Sequence, residues 1–158
     1  MASNNNIITE AMYEGEIPIF IERNYLRYEY KSFARGYHVY MKIWTPLIGE
    51  MLKCRREPSN EVDKNAVALI KTDSLGVKVI VGHVPWNVSN FFSMFLKVPN
   101  TSIEVEVVGK RVNRGGGYGL EIPVVYRFNG PEKLVKWLIK KIEAVRKELD
   151  CKVSKCLK

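Results

Sequence analysis

Short apolar segments of strand period, each closed by a turn signal, fill the middle of this chain and restrict it to a small β structure. Ile103-Glu104-Val105-Glu106-Val107 alternates strictly, which predicts a half-buried strand. Leu120, Ile122, Val124, Tyr126 and Phe128 alternate in the same way. Ala66-Val67-Ala68-Leu69-Ile70 is continuously apolar, as a buried strand would be. Asp73-Ser74-Leu75-Gly76 predicts a hairpin turn into Val77–Val81. Tyr37–Trp44, closed by Thr45-Pro46, reads as a strand and turn, and Met51–Cys54 as a further strand. Ile17–Ile21 reads as an edge element because Pro18 cannot donate to a ladder. Met1–Ile8 is Asn-rich and expected to fray.

Two segments change period. Val88, Phe92, Phe95 and Leu96 fall on one helical face, with Asn87 as N-cap and Pro99 as stop. Near the end, Gly130-Pro131 places proline in a first helical turn. Leu134, Leu138, Ile142, Val145 and Leu149 then form one apolar stripe. The expected architecture is mainly β: a small, partly open β-barrel with an internal helix and a long C-terminal amphipathic helix. It divides into an N-terminal extension with a possible edge strand (1–33), the barrel (34–128) and a basic C-terminal helix and tail (129–158).

At 158 residues the chain is long enough for one core without disulfides or metals. No run has the length of a membrane span, and the start lacks the features of a signal peptide. An intracellular protein, nuclear or cytoplasmic, is expected. Three cysteines fit that setting, and the Cys151/Cys156 pair has no second Cys or His pair for zinc. No metal or other cofactor is expected. Residues 1–108 balance 12 Lys+Arg against 12 Asp+Glu, whereas residues 109–158 hold 13 against 5, the entire +8 excess. A basic third on a neutral body suggests a polyanion partner; the plainer alternative is a solvated basic helix.

Chemistry concentrates in Arg56-Glu57-Pro58-Ser59-Asn60-Glu61-Val62-Asp63-Lys64-Asn65-Ala66-Val67, answered by Val81-Gly82-His83-Val84-Pro85. A polar turn feeding a strand, followed by a strand ending in histidine, can bring Asp63, Asn65 and His83 to one sheet mouth. Asx side chains also simply fold loops, a histidine at a strand end can be structural, and Tyr40, Trp44 and Trp86 can be core. Arg111, Arg114 and Tyr118 flank Gly115-Gly116-Gly117, a flexible loop without the lysine and helix of a P-loop. Cys54 beside His83 makes a nucleophilic pair on paper, but a buried free cysteine is the default. No paired carboxylates or metal cluster are evident, so no catalysis is expected; the alternative is an accessory to a separate ATPase or nuclease.

The two strings together resemble the HIRAN domain, a module best known from SWI/SNF-type DNA-remodelling enzymes and also found free-standing. The resemblance runs from about Ala34 to Phe128, with Arg35–Tyr40 and Leu120–Pro123 similar to flanking strands. It implies an OB-like barrel that binds single-stranded DNA at a free 3′ end, in a DNA-repair setting in the nucleus. Asp63 would match the carboxylate that accepts a hydrogen bond from the 3′-hydroxyl. Asn60 would match one of two loop amides, with Ser59 replacing the other, and His83 the histidine near the terminal phosphodiester. Lys64, Arg56 or the Arg111/Arg114 loop would hold phosphates behind the end.

The chain departs from that pattern in two places. Val62 stands where end-binding members carry a stacking aromatic, with Tyr40 as the facing aromatic. Trp86 stands where they have a polar or basic residue, as a new platform or as core. The alternative function is a protein-interaction module, or self-association, through the C-terminal helix or barrel groove, with DNA-end binding lost.

Overall fold

A computed structural model describes the backbone of residues 11–14, 17–20 and 24–157 and the side chains of residues 24–152. The expected fray at 1–8 lies outside the described residues, as do Ile21 and the Cys156 side chain. Among the described residues, nine strands and three helices follow in order: β1 (Ala11–Glu14), β2 (Ile17–Phe20), β3 (Tyr25–Ala34), α1 (Tyr37–Tyr40), β4 (Met51–Arg56), β5 (Val67–Thr72), β6 (Lys78–His83), α2 (Trp86–Lys97), β7 (Ser102–Val107), β8 (Val112–Asn113), β9 (Leu120–Pro131) and α3 (Glu132–Leu157). No described helix is long and apolar enough to cross a membrane.

β1 and β2 form a separate antiparallel pair. All other strands join one seven-stranded antiparallel sheet in the order β3-β9-β7-β4-β5-β6, with β8 added to β9. The sheet is mainly β in the OB-like manner and is not closed as a barrel. Its outer members meet at one isolated bridge, where Arg35 and His83 exchange two backbone hydrogen bonds of 2.9 Å each.

Six of the expected strands are present among the described residues, as β2, β4, β5, β6, β7 and β9, and burial explains the pattern of the inner ones. β5 is buried on both faces from Val67 to Ile70, and β7 alternates with Ile103, Val105 and Val107 inward. The Asp73–Gly76 turn closes β5 on β6, with Asp73 N–H donating to the Val77 carbonyl. Three expectations need correction. Tyr25–Ala34, placed in the extension, is the sheet's long edge strand: Leu26, Tyr28 and Tyr30 turn inward and Arg27, Glu29 and Lys31 outward, paired with β9 over ten residues. The 34 boundary therefore falls at the end of a strand and not before one. Tyr37–Trp44 is a short helix and turn, because Gly36 at φ +80° ends β3 in the left-handed region. Tyr37 and Trp44, seven apart, then bury together with rings 5.9 Å apart. Finally, α2 begins at Trp86 with Pro85 as its N-cap residue, so Asn87 is already helical.

Phe92 of α2 fills the concave side of the sheet, edge-on to Tyr126 (5.0 Å) and Phe128 (4.8 Å) and near Tyr30. Tyr126 is buried too; its hydroxyl donates to the Phe33 carbonyl at 2.7 Å, and burial pushes its pKa well up. α3 lies across β3, β9 and α2 with Val135, Leu138 and Ile142 buried, whereas Leu149 is exposed. The helix stripe is thus largely used on the chain's own sheet, at ~1.5–3 kcal/mol per large apolar side chain. Phe92→Ala is expected to cost ~3–5 kcal/mol, read as a lower denaturant midpoint at unchanged slope.

Candidate functional site

The site begins at the bridge that joins the two outer strands. Gly82 permits it, since a Cβ there would stand 3.2 Å from the Arg35 carbonyl oxygen. One residue on, the His83 ring emerges at the strand end. Gly36 turns the chain so that Tyr40 comes alongside, with ring centroids 6.1 Å apart. Glu57, immediately after β4, sets its Oε1 2.6 Å from His83 Nε2. Burial first, and the Glu57 carboxylate second, raise the Tyr40 pKa, so its phenol stays a neutral donor. Glu57 stands in the polar string, but its partner lies 26 residues away, and no local signal points to the pairing.

The same loop organises itself with Asx side chains. Asn60 Oδ1 accepts from the Val62 and Asp63 N–H groups at 2.9 and 3.0 Å, and its amide faces Glu57 Oε1 at 3.5 Å. Asp63 Oδ1 accepts from Asn65 N–H at 2.8 Å, while Oδ2 lies 3.3 Å from the Ser89 hydroxyl of α2, whose one proton is shared with the Trp86 carbonyl at 3.1 Å. Asp63 and Asn60 thus fold the loop, as Asx residues commonly do. An ionised carboxylate has about four acceptor positions, so Asp63 retains capacity for another donor. Asn65 contributes its backbone N–H to this arrangement. Lys64 is exposed beside Asp63, and Val62 is 96% exposed.

A second set of residues gathers around Glu121, whose side chain is fully buried in β9. Arg35 Nε donates to Glu121 Oε2 at 3.0 Å, and Arg114 donates from Nε (3.0 Å) and Nη2 (3.2 Å). Both guanidiniums also lie on rings, Arg35 3.9 Å from the Tyr118 centroid and Arg114 3.5 Å from that of Phe33. They line a groove of about 650 Å³ with Trp86, Tyr118 and the far turns of α3. Trp86 is 71% exposed, which settles it as surface, while Trp44 is core. Neither Arg35 nor Glu121 stood among the expected site residues, because 86 residues separate the two partners.

Two expected residues stand apart. Arg56 shares the inward face of β4 with Leu52 and Cys54, and its Nε donates to the buried Ser93 hydroxyl at 3.0 Å. It braces α2 rather than the loop mouth. Arg111 lines a different depression, with Tyr37, Thr45 and Pro46, so it does not join Arg114; three residues along an extended segment point to opposite faces. The Cys54 thiol has its pKa pushed up by burial, the state of a packing residue and not of a nucleophile. Gly115, Gly116 and Gly117 all have positive φ, as their loop required.

Glu121 is the anchor that both arginines share. Glu121→Gln removes a charge-assisted acceptor and is expected to lower stability by ~1.5–3 kcal/mol, measured by urea unfolding. Arg35 and Arg114 ring contacts should loosen with it, visible as changed Tyr118 side-chain NMR signals.

The HIRAN domain profile matches residues 26–126 of this chain. The crystal structure of the HIRAN domain of human HLTF is similar at TM-score 0.53 and 21% identity, covering 77% of this chain and 88% of that one. The NMR structure of the HLTF HIRAN domain in its DNA-bound conformation aligns at TM-score 0.50 and 21% identity, over 74% and 87%. No curated protein sequence matches. At that identity the neighbours speak for the fold alone, a mainly β, OB-like one. With the profile covering more than half its length, the chain belongs to the HIRAN domain family.

Proposed function

We propose that this chain is a non-catalytic module that binds single-stranded DNA and reads a free 3′ end at Asp63. The observation that carries the reading is the convergence of Asp63, Asn60, Glu57, His83 and Tyr40 at one edge of the sheet through linked hydrogen bonds and ring contact. Asp63 accepts from a terminal 3′-hydroxyl, while His83 and Lys64 lie close enough along the loop and strand to meet the last phosphodiester. Support for the ligand class comes from the family and from a related HIRAN domain whose structure is of a DNA-bound conformation.

Charge gives this arrangement its selectivity. An end presents a hydroxyl that can donate, whereas a strand interior or a 3′-phosphate presents negative charge. Both Asp63 and Glu57 oppose that charge at the same mouth, so the two carboxylates favour an end over a continuing strand. Val62 leaves the terminal base without the family's aromatic partner, a loss of ~1–3 kcal/mol, and Tyr40 is the aromatic that remains nearby. The burial of Leu138 and Ile142 on the chain's own sheet counts against a docking role for that part of α3.

The test uses fluorescence anisotropy at low salt with one oligonucleotide carrying either a 3′-hydroxyl or a 3′-phosphate. The hydroxyl form should bind about tenfold tighter or more, the scale of a charge-assisted hydrogen bond. Asp63→Asn keeps an oxygen for the Asn65 N–H and removes the charge, so the preference should fall towards parity. Equal binding of both oligonucleotides by the unaltered protein rules out end reading.

A further inference from the structure

We propose that the depression between the turn leading into β4 and the segment leaving β7 docks a partner protein, through a short acidic segment that carries a large apolar side chain. The depression precedes β4, whereas Glu57 and Asp63 follow it. A partner of this class is independent of the DNA in the proposed function.

The turn forms one wall of a space of about 410 Å³. Turn tips are ordinarily polar, yet this one carries Leu47 and Ile48, 65% and 63% exposed. It is also held firmly. The buried Trp44 indole N–H donates to the two Glu50 carboxylate oxygens at 3.2 and 3.1 Å, and Leu47 N–H donates to Oε1 at 3.1 Å. Gly49 N–H donates to the Val107 carbonyl at 2.7 Å, which ties the tip to β7. Aliphatic side chains held out on a fixed frame lose little freedom when a partner covers them.

The facing wall supplies cations. Gly109 packs so closely on Pro123 that a Cβ there would stand 3.0 Å from the proline ring, and the two residues after it, Lys110 and Arg111, line the depression. Both are exposed, and among the described residues neither joins an ion pair. The acid of the turn does not offset them, because Glu50 faces Trp44 and lies 3.5 Å from Lys71. An acidic segment meets both cations, while an apolar side chain within it covers Ile48 and Pro46. Complementary charge of this kind selects the partner and sets its orientation.

The chemistry of the walls favours a peptide over other occupants. The nearby rings of Tyr37 and Trp44 are 4% and 1% exposed, so neither offers a face on which a base could stack. A second copy of the chain is opposed by charge. Twofold pairing sets the same patch face to face, which brings Lys110 and Arg111 towards their own copies in a chain that already carries +8.

The test uses the full chain and labelled peptides of about ten residues, long enough to span the depression when extended. Asp and Glu flank two randomised central positions, and a control set has Ser in place of the acids. Binding is followed by fluorescence anisotropy and by amide shifts in the 15N-labelled chain. The acidic set should bind best with a large apolar centre, weaken with added salt and shift Ile48, Gly109, Lys110 and Arg111. Ile48→Asp and Arg111→Glu, both at exposed positions, should each weaken it about fivefold or more and leave the ratio of 3′-hydroxyl to 3′-phosphate oligonucleotide binding unchanged. Equal binding of acidic and Ser-flanked sets, no binding of either, or affinities unmoved by both substitutions overturns the proposal. A dimer in light scattering that Ile48→Asp dissociates assigns the tip to a second copy and overturns it as well. Oligonucleotide-induced shifts at Lys110 and Arg111 assign this face to nucleic acid, with the same consequence. Absence of a 3′-hydroxyl preference in the unaltered protein removes end reading and leaves the peptide site standing.

Discussion

The paired hydrogen bonds between Arg35 and His83, each 2.9 Å, hold the two outer members of the sheet together and place everything that follows. Without them β3 and β6 would be free edges, and His83, Tyr40 and the loop after β4 would have no common frame. The close approach is possible because Gly82 has no Cβ to press on the Arg35 carbonyl. The same residue then works through its side chain, since the Arg35 guanidinium reaches the buried Glu121. A carboxylate with no solvent must be paired, so the sheet interior fixes two arginines at the surface.

In the loop between β4 and β5 the residues of the proposed end-reading site also hold the loop's own fold. Asp63 holds Asn65 N–H and lies against the Ser89 hydroxyl, which fixes where its free acceptor positions face. Glu57 similarly orients His83 and adds a second negative charge at the mouth. A loop folded by its own acidic groups is rigid enough to discriminate and is charged against phosphate. That combination is what an end reader requires and what a general backbone binder avoids. Arg35, Arg114 and Lys152 place cations around the neighbouring groove.

Much of the sheet was legible from period alone. β5, β7 and β9 show it because burial on one or both faces forces the pattern, and α2 and α3 show it through helical spacing. β3 carries the same signal in Leu26, Tyr28 and Tyr30, but its aromatic–charged alternation is masked by large polar neighbours and only pairing with β9 shows it as part of the sheet. Tyr37–Trp44 failed because a dense aromatic run fits a strand locally, while a glycine in the left-handed region decides for a helix. Asp63, Asn60 and His83 stand in the two polar strings and Tyr40 in the Arg35–Tyr40 segment, so the sequence offers them as candidates, and hydrogen bonds and ring contact through Glu57 and His83 link them in the fold. Glu57's pairing with His83, Glu121's grip on two arginines and the inward turn of Arg56 have no such signal. Each depends on register between strands distant in sequence.

The most direct measurement maps the ligand onto the protein. An unlabelled 3′-hydroxyl oligonucleotide is titrated into the 15N-labelled chain, and amide, indole and guanidinium signals are followed. The account predicts shifts at Asp63, Lys64 and His83, with Arg111 and the exposed face of α3 unmoved. Shifts confined to Arg111 or to the outer lysines of α3, with Asp63 and His83 silent, contradict it.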